Sequence, residues 1–376
     1  MAKPRKKKSR KIRYAVVGLG YISQNAVLPA FEHARKNSEL VALVSDDAAK
    51  LKKLSRQYRS KYVLTYDLYD SYMASGEIDA VYIALPNSMH REYTVRAAKA
   101  GIHILCEKPM AVTSADCEAM IRAAEQNRVK LMIAYRLHFD KANMAAVQIA
   151  ESGKLGDLRM FNSVFSMQVK SGDIRLQKKL GGGTLYDIGI YCINAARYFF
   201  RSEPVEVTAF SANNGEKRFE QVDEMTSAIL RFPKQKLAAF VTSFGAADTS
   251  DYRLVGSKGQ LIMEGGYEYA QPRRQRVIAG SKTSEKKFPM KDQFGPELLY
   301  FSDCVLRDRQ PEPSGYEGLA DVRIIEALYR SAESGLPVRL EILPPPARPS
   351  KKQAMELPPV KKPELVHAAS PHKEAA

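Results

Sequence analysis

Five short, continuously apolar runs mark the N-terminal part of the chain: YAVVGLG, ELVALVS, AVYIALP, HILCEKP and KLMIAYR. Runs of this length without polar interruption suit strands that are buried on both faces. Amphipathic stretches lie between them, among them TVRAAKAG and TSADCEAMIRAAEQNRVK, the second opening with Thr113 and Asp116 at capping-box spacing. Strand, helix and strand in this rhythm predict right-handed crossovers and a doubly wound parallel sheet, an α/β Rossmann domain over residues 12–136. From Phe139 to Leu155 a helical pattern ends in GKLGD, and the texture then changes. LRMFNSVFSMQV, VEVTAFSAN, TSAILRFP, KLAAFVTSFG, DYRLVGS and QLIMEGG alternate in part between apolar and polar positions, which predicts an open, mainly antiparallel sheet with one face covered. Late helices are predicted at Phe294–Arg309 and Tyr316–Ser334, so residues 137–343 make a second, α+β domain.

Charge changes the picture at the ends of the chain. The formal net charge is +16 over 376 residues, but residues 1–13 alone hold eight Lys or Arg and no acid, and residues 344–376 hold six against three Glu. Those two segments carry +8 and +3, which leaves +5 for residues 14–343. The basic excess therefore belongs to the tails, and residues 1–11 are expected to be a basic disordered segment. Eight prolines in residues 344–376 predict a second disordered tail, rich in Pro and Lys. No aromatic residues interleave with the lysines of KPRKKKSRK, so a nucleic-acid partner is not expected. Cys106, Cys117, Cys192 and Cys304 stand far apart without metal-site spacing, which suits reduced thiols, a cytoplasmic protein and no bound metal. No stretch approaches the roughly 20 apolar residues of a membrane span, and the N-terminus lacks the pattern of an export signal.

Candidate chemistry sits where the apolar runs end. Gly18-Leu19-Gly20-Tyr21-Ile22-Ser23 follows the first run, a spacing in which two glycines make a tight turn and let the backbone approach a pyrophosphate at a helix N-terminus. Ser23 takes the place of the third glycine, and Pro29 should kink or bound the helix that follows. The second run ends in Ser45-Asp46-Asp47, where a carboxylate would accept hydrogen bonds from the adenosine ribose and repel a 2′-phosphate. Asp46 therefore favours NAD over NADP, although Ser45, Lys50, Lys52 and Lys53 lie close enough to accommodate that phosphate. Leu85-Pro86-Asn87-Ser88-Met89-His90 and Cys106-Glu107-Lys108-Pro109 end two further runs, and Arg136 ends the next. Ligands of open parallel sheets lie outside the carboxyl ends of the strands. Leu85, Pro86, Asn87, His90, Glu107, Lys108 and Arg136 are accordingly expected at the cofactor with Gly18, Gly20, Tyr21, Ile22, Ser45 and Asp46. Farther on, GGGTLYDIGIY places three glycines before Asp187 and Tyr191, which share one face if they lie on a helix. Arg136 and Arg175 are candidates for contacts near the nicotinamide or substrate, with a surface ion pair the favoured reading for Arg175, and His103 and His138 are expected to be core or surface residues.

GLGYIS, ALPNSMH, CEKP, AYR and GGGTLYDIGIY, in that order, resemble the glucose-fructose oxidoreductase and inositol dehydrogenase family over almost the whole chain from Ile12 to Leu340. The resemblance implies a Rossmann domain that binds NAD or NADP, a second sheet laid across the reacting face, and a dimer or tetramer formed through that sheet. It also implies catalytic roles for Lys108 and Asp187. Most of the family carries histidine where this chain has Tyr191, so the chain is closer to the branch of glucose-fructose oxidoreductase, aldose dehydrogenases and dihydrodiol dehydrogenase. The expected reaction is hydride transfer between nicotinamide and a sugar or related polyol, with a trans-dihydrodiol as the alternative substrate. Tyr191 would move the hydroxyl proton. A nearby ammonium favours phenolate and a nearby carboxylate opposes it, so the placement of Lys108 and Asp187 matters. A cofactor-binding regulator without catalysis would be expected to lose Lys108 or the Asp187 and Tyr191 pair, and this chain keeps all three.

Overall fold

The computed structural model describes residues 10–341 and 348–372. Six strands pair in parallel: β1 (Ile12–Val17), β2 (Ser38–Val44), β3 (Tyr62–Leu64), β4 (Ala80–Ile83), β5 (His103–Glu107) and β6 (Leu131–Ala134). Their order is β3-β2-β1-β4-β5-β6, so the winding reverses between β1 and β4 and opens a crevice there. All four residues of β4 and of β6 are buried, as their unbroken apolar sequences require. Thr113 caps the helix Ser114–Gln126, its hydroxyl accepting from the Asp116 N–H at 3.1 Å.

The second sheet has nine strands: β7 (Leu158–Ser166), β8 (Glu206–Ala212), β9 (Met225–Phe232), β10 (Lys236–Ser243), β11 (Thr249–Gly256), β12 (Gly259–Glu264), β13 (Arg273–Ala279), β14 (Lys282–Phe288) and β15 (Val338–Arg339). Their order is β14-β13-β12-β11-β7-β10-β9-β8-β15, and every pair is antiparallel except β7 with β10. In β9 exposed and buried residues alternate without a break, which is the signature of one covered face. The helices Ile190–Phe200 and Gly315–Ser334 cover it, with Phe200 against Phe232 at 4.9 Å between ring centroids. The outer face leaves Met160, Val164, Phe210, Met225, Ile229 and Leu237 exposed. At one edge β14 carries exposed Lys282, Glu285, Lys286 and Lys287, charges that discourage pairing with another sheet.

The C-terminal segment differs from the disordered tail that composition predicts. Residues 348–372 run along both domains. Arg348 joins Glu203 and Glu317, which also flank the fully buried Arg197. The Met355 N–H donates to Phe139 O at 3.0 Å, Asp292 N–H to Leu357 O at 3.3 Å, and Lys170 N–H to Pro371 O at 3.0 Å. The segment has few apolar residues of its own, but Val366 is buried against a core that the first domain has already built. Residues 1–9 of the predicted N-terminal tail, and 344–347 and 373–376 of the C-terminal one, lie outside the described residues. All four cysteines are buried and unpaired. Among the described residues no helix is long and apolar enough to cross a membrane.

Candidate active site

Gly18 follows β1 with φ at +90°, and a Cβ there would stand 2.6 Å from Ala84 O, so the turn requires glycine. A Cβ on Gly20 would meet nothing within 4 Å, which leaves its backbone open to a ligand. Ser23 is buried and donates its hydroxyl to Gly18 O at 2.6 Å, so the residue replacing the third glycine braces the turn. Tyr21 and Ile22 are half-buried just before a π-helical turn, Ser23–Val27. Pro29 is the second residue of the short helical turn Leu28–Ala30, which follows that π-helical turn directly and ends at Phe31. This open glycine turn at the carboxyl edge of a parallel sheet fits a dinucleotide pyrophosphate.

At the end of β2, Ser45 is buried and its hydroxyl accepts from the Asp47 N–H at 3.2 Å. Asp46 is exposed, with one carboxylate oxygen accepting from the Tyr66 N–H at 3.0 Å. Asp47 caps the helix Ala48–Tyr58 through the N–H groups of Ala49 and Lys50, each at 3.0 Å. Lys53 pairs with Glu364 at 2.7 Å, and Lys50 Nζ lies 4.0 Å from Asp47.

Leu85 is buried beyond β4, and Pro86 is half-buried. His90 requires a correction, because it is fully buried and cannot reach a ligand. Its ring nitrogens lie 2.9 Å from Leu85 O and from Pro109 O, so the ring ties together the loops that follow β4 and β5. Burial lowers its pKa, against the pull of those carbonyls. Asn87 also serves the frame, donating to Gly181 O in the second domain at 2.8 Å. Glu107 is buried and accepts from the Tyr82 hydroxyl at 2.7 Å, and burial raises its carboxyl pKa.

Lys108, Asp187 and Tyr191 come together. The Lys108 ammonium donates to Asp187 O at 2.8 Å and to Asp187 Oδ1 at 3.1 Å, and it stands 4.9 Å from the Tyr191 ring centroid. Burial would lower the Lys108 pKa, yet Asp187, Tyr191 and Glu107 raise it on balance, so the side chain stays an ammonium. Arg136 is buried after β6, with its guanidinium 4.9 Å from the same ring centroid. It is fixed there by Gln293 and by Tyr267 O at 2.6 Å.

The three glycines explain how the second domain reaches this point. Gly181 has φ at +81°, and a Cβ there would lie 2.6 Å from Val112 Cγ2 and 2.8 Å from Asn87 Cβ. A Cβ on Gly182 would lie 2.3 Å from Arg175 O, and one on Gly183 2.5 Å from the Tyr329 hydroxyl. Close approach of backbones, and not phosphate binding, is what selects glycine here. Asp187 then lies in a π-helical turn, Leu185–Gly189, and Tyr191 in the helix Ile190–Phe200. The wider turn changes the angle between them from that of a regular helix.

Arg175 is not the surface residue expected from its sequence. It donates to Asp187 Oδ2 at 2.6 Å and reaches Asp173 at 3.2 Å. Gln293 and Tyr267 are further site residues that no motif announces. His138 is buried on Asn194 at 2.8 Å, and His103 accepts from the Lys130 N–H at 3.0 Å, both away from the site.

Comparison with known proteins identifies both domains. Residues 12–135 match the model of an oxidoreductase family with an NAD-binding Rossmann fold, and residues 144–262 match the GFO/IDH/MocA C-terminal domain. D-xylose 1-dehydrogenase [NADP(+)] of Haloarcula marismortui is 30% identical over 337 residues, covering 88% of this chain and 93% of that protein. The aldose-aldose oxidoreductase of Caulobacter crescentus, solved with glycerol, superposes with a TM-score of 0.84 at 38% identity, over 88% of this chain and 100% of that one. A 3-ketoreductase of Actinomadura kijaniata, solved with NADP and TDP-benzene, gives a TM-score of 0.78 at 26% identity, over 85% and 98% of the two chains. With the glycine turn, the lysine at the end of β5 and both domain models in place, the chain belongs to the GFO/IDH/MocA family of oxidoreductases.

Proposed function

We propose that the protein transfers hydride between a nicotinamide dinucleotide and a hydroxyl-bearing carbon of a sugar or related polyol. The observation that carries this reading is the meeting of an ammonium, a carboxylate and a phenol from two domains: Lys108, Asp187 and Tyr191. A bound nicotinamide supplies the hydride acceptor or donor. Tyr191 holds or releases the hydroxyl proton at its phenolic oxygen. Lys108, charged at neutral pH, donates a hydrogen bond to the same substrate oxygen and stabilises negative charge developing there. Asp187 holds the ammonium in place and is itself braced by Arg175.

We assign the cofactor preference to NAD. The exposed carboxylate of Asp46 would meet a 2′-phosphate with like charge, and Lys53 and Lys50 are engaged by Glu364 and Asp47. The named preference of the Haloarcula relative for NADP makes this a direct test. The exposed apolar residues of the second sheet support a homo-oligomer, a dimer or tetramer built across that face.

The deciding screen follows absorbance at 340 nm with aldoses, other polyols and trans-dihydrodiols, each with NAD and NADP. Turnover of an aldose with a higher kcat/KM for NAD is expected. Turnover restricted to dihydrodiols would overturn the sugar assignment, and a preference for NADP would overturn the role given to Asp46.

A further inference from the structure

The C-terminal segment touches both walls of the crevice above the first sheet. On the first-domain side, Gln24 lies in the helical turn after Gly20 and is fully buried. Its amide pairs with the Val366 backbone as a neighbouring strand would. The Val366 N–H donates to Oε1 at 2.7 Å, and Nε2 donates to Val366 O at 2.9 Å and to Leu19 O at 2.8 Å. The Val366 side chain is buried in the cluster that holds Leu19, Val27 and Leu51. Next to it, His367 Nδ1 stands 2.9 Å from Asp47 Oδ2, one residue beyond the ribose acid Asp46, and Glu364 accepts from Lys53.

On the second-domain side, the Lys170 N–H donates to Pro371 O at 3.0 Å, Val169 and His372 form an antiparallel bridge, and His372 Nδ1 lies 2.9 Å from Asp248 Oδ2. Val169 and Lys170 belong to the connection between β7 and Arg175, which braces Asp187. The five Cα-to-Cα steps from Val366 to Pro371 thus join the turn that would cradle a pyrophosphate to the wall that carries Asp187. Five extended residues reach at most about 18 Å, so the crevice cannot widen beyond that span while both anchors hold.

We propose that residues 364–372 are a strap that closes the dinucleotide crevice and sets the rate of cofactor exchange, with the Gln24–Val366 pair as its latch. The proposal rests on the dinucleotide-binding reading above. The two His–Asp contacts are well exposed, at 64% and 45% of the histidine side chains, and exposed pairs hold weakly. The Gln24–Val366 pair is buried, so its opening governs release. Its partners on the chain are main-chain groups, which hold the strap whatever side chains flank Val366.

The test uses the full-length protein and whichever of NADH and NADPH binds more tightly, with release followed by stopped-flow loss of nicotinamide fluorescence into excess oxidised cofactor. Val366→Asp puts a carboxylate into the apolar seat and should raise the dissociation rate about tenfold, equivalent to about 1.4 kcal/mol. Circular dichroism identifies a variant that has failed to fold. Hydrogen exchange on the unaltered protein reads the latch without any mutation, and the Val366 and His367 amides should gain protection when cofactor is added. An unchanged release rate in the folded variant, tighter binding in the variant, or no change in protection would overturn the strap. Failure of the unaltered protein to bind either nucleotide would instead overturn the dinucleotide reading itself.

Discussion

Asp187 offers one carboxylate oxygen to each of two cations, Oδ1 to Lys108 and Oδ2 to Arg175. Burial alone would raise its pKa, but Arg175 and Lys108 outweigh burial and hold the carboxyl well below its usual range. A folded-state pKa below the unfolded value of about 3.9 stabilises the fold at every pH above that value, and the contribution is lost as pH falls toward the folded value. Lys108 is shifted the other way and keeps its ammonium. Neither group therefore changes charge between about pH 5 and pH 9. Arg175→Met removes one cation and leaves Oδ2 unpaired. We expect kcat to fall roughly tenfold to a hundredfold as the Lys108 and Asp187 pair loosens. The Asp187 pKa should rise as well, so the acid limb of the rate profile should move to higher pH. A rate profile that superimposes on that of the unaltered protein would show that Arg175 is only a bystander.

Elements with a strong periodic signal were legible in the sequence. β1, β2, β4, β5 and β6 appear as unbroken apolar runs because both of their faces are covered, and β7 to β12 show the alternation of a one-faced sheet. β3 has three residues, too few to repeat a pattern. β13 and β14, RRQRVIA and KTSEKKF, form a polar edge hairpin whose charges mask its strand character. Within the site, the Asp187 and Tyr191 spacing could be read directly, but the π-helical turn could not, since it leaves residue types unchanged and alters only their angular step. Arg175 lies 12 residues before Asp187 and reaches it only because the loop folds back over Gly182. His90 was misplaced for a related reason: a polar residue after a strand can face a ligand or can tie two loops together, and only the fold distinguishes the two. The C-terminal segment misled by composition, which counts a segment's own apolar residues and not the apolar surface waiting for Val366 on another part of the chain.

At the scale of the whole molecule, the site is shared. Lys108 and Arg136 come from the first domain, and Arg175, Asp187 and Tyr191 from the second, so the proposed chemistry would require the two domains to stay docked. The strap and the Asn87 to Gly181 hydrogen bond both serve that docking. The outer face of the nine-stranded sheet, which exposes Met160, Val164, Phe210 and Met225, is the surface that the proposed oligomer would bury. Ile229 and Leu237 stand exposed on adjacent strands there, and the paired change Ile229→Asp with Leu237→Asp should shift the protein from oligomer to monomer in light scattering. An oligomer that survives the change must use another surface.

In the proposed reaction Tyr191 moves the substrate proton beside a Lys108 that is charged at neutral pH. Single-turnover absorbance at 340 nm of Tyr191→Phe, with the best sugar from the screen and saturating cofactor, tests it most directly. Hydride transfer should slow roughly 10²- to 10⁴-fold while cofactor affinity is kept. Transfer within about twofold of the unaltered protein, far short of the loss expected on removing a general acid or base, would contradict it.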